Sequence, residues 1–200
     1  MTDMTQGREA AESEQSCAPS DAQDSITMTT ATTSDATDII DLRDRRARWM
    51  LDHGIDQWLP GEYPVEFVEA EARRGEWFVG RDGAELIGAV RVIWRDPGFW
   101  GADGETVAGY IHALMVAPEH RGRGLGTAIL RFCADHTRAE GVTVQRLDTA
   151  SNNRALRKYY AAEGFTEVRE APLYAPFRGS TAVVLMEKSL VATEPPTRRG

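Results

Sequence analysis

Residues 107–127 read Val-Ala-Gly-Tyr-Ile-His-Ala-Leu-Met-Val-Ala-Pro-Glu-His-Arg-Gly-Arg-Gly-Leu-Gly-Thr. An apolar strand runs into a turn of alternating arginines and glycines. A helix with Leu125, Ala128, Ile129 and Phe132 on one face follows at once. Glycine lets the backbone turn sharply and approach a ligand closely, because no Cβ intervenes. The free amides of a helix's first turn point outward with the positive end of the helix dipole behind them. Strand, glycine turn and helix start in this order make a place for phosphate oxygens. The plainer alternative is an Arg- and Gly-rich surface turn, which needs all three features to coincide by accident.

Three loops of this kind differ in detail. A Walker loop needs Gly-Lys-Ser/Thr, and no such triplet follows Gly126. The dinucleotide fingerprint would use Gly122 and Gly124, but its third glycine falls on Thr127; Asp148, roughly twenty residues on, keeps that option open. The third pattern is Gln/Arg-x-x-Gly-x-Gly/Ala, which Arg121-Gly122-Arg123-Gly124-Leu125-Gly126 matches without a gap. A strand over Val142–Thr149, a helix opened by Ser151-Asn152-Asn153, and Tyr159-Tyr160-Ala161-Ala162-Glu163-Gly164-Phe165 at that helix's end follow in turn. In this order and spacing, from about Trp77 to about Glu187, the chain resembles the GNAT acyltransferases.

The resemblance implies an α+β fold, a mixed and mostly antiparallel sheet of six to seven strands flanked by about four helices. It implies acetyl-CoA as acyl donor and transfer of the acetyl group to a primary amine. The amides of Gly122, Arg123, Gly124, Leu125, Gly126 and Thr127 would anchor the cofactor, with charge from Arg121 and Arg123. Backbone groups of Leu114, Met115 and Val116, together with Asn153, match the family's pantetheine contacts. Tyr160 stands at the tyrosine that protonates the leaving thiolate. Two residues match family bases: His112 resembles the histidine in the corresponding strand of serotonin N-acetyltransferases, and Asp148 a carboxylate of peptide N-terminal members. Water is a third candidate base. Tyr110 occupies a position where other members carry glutamate.

The residues also admit structural roles. Period-two alternation puts Tyr110, His112, Leu114 and Val116 on one strand face, and histidine titrates near neutrality, so His112 can relay a proton or simply be a satisfied sheet residue. Leu114, Met115 and Val116 suit a core strand, and Asn153 suits an N-cap. Trp58, Trp94, Phe99 and Trp100 are candidates for pocket walls or core, Trp94 for core above all. Asp96, Asp103 and Glu105 could attract a cationic amine or be a solvated acidic loop.

Two hundred residues suit one domain with a sizeable core. A net charge of -8 leaves no basic footprint for nucleic acid and suits a small-molecule amine, cationic or neutral. No apolar run reaches the length of a membrane span, and the N-terminus lacks a basic region followed by an apolar one. Cys17 and Cys133 are the two cysteines; neither has His or Cys at metal-ligand spacing, so no metal is expected. A reducing cytoplasm is the default compartment. A homodimer, common in the family, is consistent with the resemblance.

Residues 1–25 read as a disordered polar extension, 26–190 as the acetyltransferase domain and 191–200 as a polar tail. Within the domain we expect a strand over Ile26–Thr33, a helix capped by Ser34 or Asp35 carrying Ile39, Leu42, Trp49 and Met50, and a second helix from Pro64. A hairpin should join Trp77–Gly80 to Leu86–Trp94 through Asp82-Gly83, and strands should close the sheet at Phe165–Arg169 and Thr181–Met186. Two other functions compete with catalysis on a small amine. One is an acyl-CoA sensor without turnover; the other is peptide or protein N-acetylation. A dinucleotide-binding domain is disfavoured by hairpins where βαβ repeats belong.

Overall fold

The structure, a computed structural model, describes residues 26–177 and 180–191. The extension expected over 1–25, and the tail beyond Val191, lie outside the described residues. Seven strands form one sheet: β1 (Met28–Thr30), β2 (Trp77–Asp82), β3 (Glu85–Ile93), β4 (Gly109–Val116), β5 (Val144–Ala150), β6 (Thr166–Phe177) and β7 (Ser180–Ser189). Their order is β1-β2-β3-β4-β5-β7-β6, and β4–β5 is the parallel pair among antiparallel neighbours. The helices are α1 (Ala36–Asp52), α2 (Val65–Arg73), the four-residue α3 (Pro97–Trp100), α4 (Leu125–Ala139) and α5 (Arg154–Ala162). The α+β class and the strand number agree with expectation.

Local chemistry sets these elements. Before α1, a 3-10 turn over Thr33–Asp35 is closed by Thr32, whose N–H and hydroxyl both donate to Asp35 Oδ2 at 2.8 Å. Pro64 stands at the N-cap of α2, one position before the first helical turn expected of it. The strand expected over Ile26–Thr33 shrinks to three residues, and β6 runs past Arg169 to Phe177. The loop before β4 folds into α3 and a 3-10 turn over Gly101–Glu105.

Helices cover both faces. Ile39 and Leu42 of α1 and Val68 of α2 pack with Trp77, Val79, Ala89 and Met115. Phe78, between Trp77 and Val79, packs instead with Ile129, Leu130 and Cys133 of α4 and Tyr160 of α5, as alternation along β2 requires. Gly109 opens β4 against α4, where a Cβ would fall 2.3 Å from Thr137 Oγ1. Cys133 is a buried free thiol. Among the described residues, no helix is long and apolar enough to cross a membrane.

One irregularity organises the centre of the sheet. Ala89 pairs with Met115 but Arg91 with His112, so Val90 faces two residues of β4. Ala113, inside this bulge, has φ 47°, a left-handed conformation costing roughly 1–2 kcal/mol for an L-residue. The bulge overturns the alternation expected for β4. Ile111 and Leu114 both pack on the α4 side, while Ala113 and Met115 pack on the α1 side, so Tyr110, His112, Leu114 and Val116 do not share one face. It also coincides with the parting of β4 from β5. Their pairing ends at Ile111↔Leu147, while β4 continues with β3 to Val116↔Gly88 and β5 with β7 to Ala150↔Val183.

Candidate active site

A cleft of about 1160 Å³ fills the gap between the parted strands. The glycine turn stands at one end. Gly122 and Gly124 have φ of 82° and 76°, and Gly124 is the left-handed N-cap of α4. The first helical bond runs from the Ala128 N–H to the Gly124 carbonyl at 3.1 Å. The amides of Leu125, Gly126 and Thr127 therefore precede the helix's own bonding and carry its positive end. At Gly126 a Cβ would fall 2.7 Å from the Tyr159 hydroxyl oxygen, so α4 and α5 approach there as only glycine allows.

The cleft gathers most of the residues singled out in the sequence. Leu114, Val116, Arg121, Gly122, Gly124, Leu125, Gly126 and Thr127 line it, as do His112, Asp148, Asn153 and Tyr160. Met115 turns its side chain into the core, and Arg123 turns its guanidinium to His120 Nδ1 at 2.7 Å; neither side chain lines the cleft. The Thr127 hydroxyl donates to Glu163. Asn153 caps α5, its Oδ1 accepting from the Leu156 N–H at 3.0 Å. Tyr159, next to Tyr160 on α5, also lines the cleft.

His112 sits between two carboxylates. Its Nδ1 lies 3.8 Å from Asp148 Oδ1, and its Nε2 lies 3.2 Å from Asp96 Oδ2, out of line for a hydrogen bond. All three side chains are at least five-sixths buried. Burial pushes the Asp148 carboxyl up to about 6; His112 opposes the rise and the charge of Asp96 adds to it. Burial likewise raises the Tyr160 phenol, with smaller contributions from Tyr159 and Asp148, so it stays protonated.

Asp96 is held by its loop. Its Oδ1 accepts from the Phe99 N–H at 3.4 Å, its N–H donates to the Gly104 carbonyl at 2.9 Å, and a Cβ on Gly104 would strike its carbonyl at 2.1 Å. The other acids of that loop turn away: Asp103 pairs with Arg169 at 3.5 Å and Glu105 with Arg95 at 3.7 Å. Of the aromatics, Trp58 and Phe99 line the cleft, whereas Trp94 and Trp100 pack into the core. Tyr110 is a structural anchor, its hydroxyl donating to the Thr106 carbonyl at 2.9 Å and accepting from Arg146 at 2.9 Å.

The α1–α2 side of the cleft carries residues that sequence reading missed. Arg43 stacks on Trp58 and Tyr63 at 5.0 and 5.3 Å and pairs with Glu62 at 2.5 Å. Glu71 accepts from the Tyr63 hydroxyl and from Trp77 Nε1, and pairs with Arg91 at 2.9 Å. Burial, then the charge of Glu71, pushes the Tyr63 phenol up to about 12. Trp49, read from sequence on α1 with Ile39, Leu42 and Met50, lines the cleft, as does Arg46. The i, i+3 spacing of Arg46 and Trp49 was the available signal.

Comparison with known proteins adds a family context. The model of the acetyltransferase (GNAT) family matches residues 39–165. N-alpha-acetyltransferase 30 of Schizosaccharomyces pombe is 30% identical over 97 residues, which are 48% of this chain. The match spans 61% of that relative's length. A GNAT-family acetyltransferase from Listeria monocytogenes shares the fold with a TM-score of 0.67 and 24% identity, over 82% of this chain and 95% of its own. The structure of yncA from Salmonella typhimurium with its cofactor acetyl-CoA aligns with a TM-score of 0.63 and 19% identity, over 87% and 99%.

Proposed function

The chain belongs to the acetyltransferase (GNAT) family, and from that membership we propose that it is an acetyl-CoA-dependent N-acetyltransferase acting on the primary amine of a small molecule. The observation that carries this reading is the parting of β4 and β5. It leaves one cleft that joins a phosphate-type loop to His112, Asp148 and Tyr160.

The residues fit the donor. The first-turn amides of α4 suit its pyrophosphate, and the β4 edge beyond Ile111, released from β5, offers main-chain groups to an extended pantetheine arm. When bound, acetyl-CoA supplies a thioester that an amine can attack. Asp148, poised near neutrality by burial, accepts the proton of the incoming ammonium, with His112 beside it as the alternative base. Tyr160, kept protonated, gives its proton to the departing thiolate. Positioning in a walled cleft supplies much of the remaining acceleration.

The direct test is acetyl-CoA-dependent thiol release across a panel of small amines, amino acids and peptide N-termini. Turnover with small amines, lost in Tyr160→Phe, supports the reading; binding of acetyl-CoA without turnover of any amine identifies a sensor. A peptide acceptor is the second reading, favoured by the similarity to N-alpha-acetyltransferase 30. Turnover confined to peptide N-termini in the same panel would select it. We take the compartment to be the cytoplasm, with no nucleic-acid or membrane partner and a homodimer as the assembly; sizing by light scattering tests the last.

A further inference from the structure

We infer that Arg43 is a positioning residue: it fixes the α1–α2 connection as an apolar wall of the cleft, and that wall takes the uncharged side group of the acceptor amine. Residues 53–64 join the two helices without regular structure, and none of them is fully buried. Such a segment has no core of its own to hold it, and in compact domains loops this long are commonly functional. Two neighbours on α1 hold it instead. Arg43 donates to the Leu59 carbonyl at 3.2 Å, pairs with Glu62 at 2.5 Å, and stacks on Trp58 and Tyr63 at 5.0 and 5.3 Å. Asp44 accepts from the Gly61 N–H through both carboxylate oxygens at 3.0 Å. One guanidinium thus meets a carbonyl, a carboxylate and two rings at once, which its planar fork can do and an ammonium cannot.

The wall ends beside the candidate bases. Trp58 and Tyr63 pack in one cluster with Ala113, the residue after His112. The Tyr63 hydroxyl donates to Glu71, Glu71 pairs with Arg91, and Arg91 stands opposite His112 in the register of β3 and β4. The charges along this path are engaged: Arg43 by Glu62, and Arg91 by Glu71 and Glu76. What the wall offers the cleft is Ile39, Met50, Ile55, Trp58 and Tyr63. A charged group laid there would give up its hydration without a new partner, whereas an apolar group gains by burial. The inference rests on the acetyltransferase reading, because it needs an acceptor amine.

The test is Arg43→Lys, Trp58→Ala and the double variant, assayed for thiol release from acetyl-CoA with hexylamine and with ethanolamine. The parent favours hexylamine in kcat/KM by about tenfold or more. Arg43→Lys and Trp58→Ala each raise the KM for hexylamine about tenfold, while kcat and the KM values for ethanolamine and acetyl-CoA stay within about twofold. The double variant loses little more than either single one, because Arg43 acts through Trp58. Where Arg43→Lys unfolds at the assay temperature, Glu62→Gln, which removes only the ion pair, takes its place and raises the same KM about threefold. A parent that turns over neither amine, or shows no preference between them, overturns the inference. So do additive losses, equal losses for the two amines, or a fall in acetyl-CoA affinity, which a loosened fold would give. A parent that binds neither acetyl-CoA nor CoA rejects the acetyltransferase reading itself; turnover in the parent with an unmoved hexylamine KM in the variants rejects the role of Arg43 alone.

Discussion

His112 Nδ1 stands 3.8 Å from Asp148 Oδ1, across the gap where the parallel pairing of β4 and β5 has just ended. The two residues match bases of different members of one family, and here they share one site. His112 comes from β4 next to the bulge at Ala113, and Asp148 from β5, whose register with β7 is unbroken; both side chains line one cleft.

Asp148→Asn should separate stability from activity. Its carboxyl rises from 3.8 to about 6 in the folded chain. The folded state therefore binds its proton more tightly than the unfolded chain. The resulting cost is absent below about pH 4, grows between about pH 4 and 6, and is complete above, at up to roughly 3 kcal/mol. The asparagine variant should melt several degrees higher at pH 7.5 and no higher at pH 3.5, while kcat/KM falls about 10²-fold or more. A calorimetric pH series with matched kinetics checks both.

Asp96→Asn should move the acidic limb of the kcat/KM profile to lower pH. Removing its negative charge eases ionisation of Asp148, which Asp96 opposes, and withdraws a carboxylate from His112. The first change lowers the pH at which the Asp148 carboxylate takes up a proton. A limb that stays in place while kcat drops would mean Asp96 only shapes the loop.

Tyr160→Phe keeps the packing against Phe165, whose ring centre lies 5.9 Å away, and deletes the hydroxyl. We expect kcat to fall about 10²-fold with acetyl-CoA affinity within about threefold of the parent. Solvent isotope effects on thiol release would show whether thiolate protonation has become slow.

Gly126→Ala places a methyl 2.7 Å from the Tyr159 hydroxyl oxygen, but 3.5 Å from the ring carbon bearing it. The single variant should bind acetyl-CoA about tenfold more weakly, because the helix start must shift. Tyr159→Phe in the same chain should restore most of that loss, a coupling that a double-mutant cycle reads directly.

Much of this was legible in the sequence, because it depends on local rules. The glycine turn, the α4 start and the cap at Asn153 are read from neighbouring residues. So is the Gly83 turn of the β2–β3 hairpin. The bulge was not legible, since an alanine at φ 47° carries no signature that a glycine would have given. Asp96 reaches His112 only because Pro97–Glu105 folds back on Gly104, a tertiary event that spacing does not encode. Trp100 and Phe99 are adjacent and equally aromatic, yet one lies in the core and the other in the cleft. The turn of α3 alone decides between them.

The measurement that tests the central claim most directly is a thermal melt of the full chain with acetyl-CoA, free CoA, NADH and ATP in parallel. At about a hundredfold excess over Kd, a bound ligand adds about 2.7 kcal/mol, or roughly 5 to 10 °C for a domain of this size. The cleft predicts a rise with the two CoA compounds and none with NADH. A rise with NADH alone, or with none of the four, would contradict it.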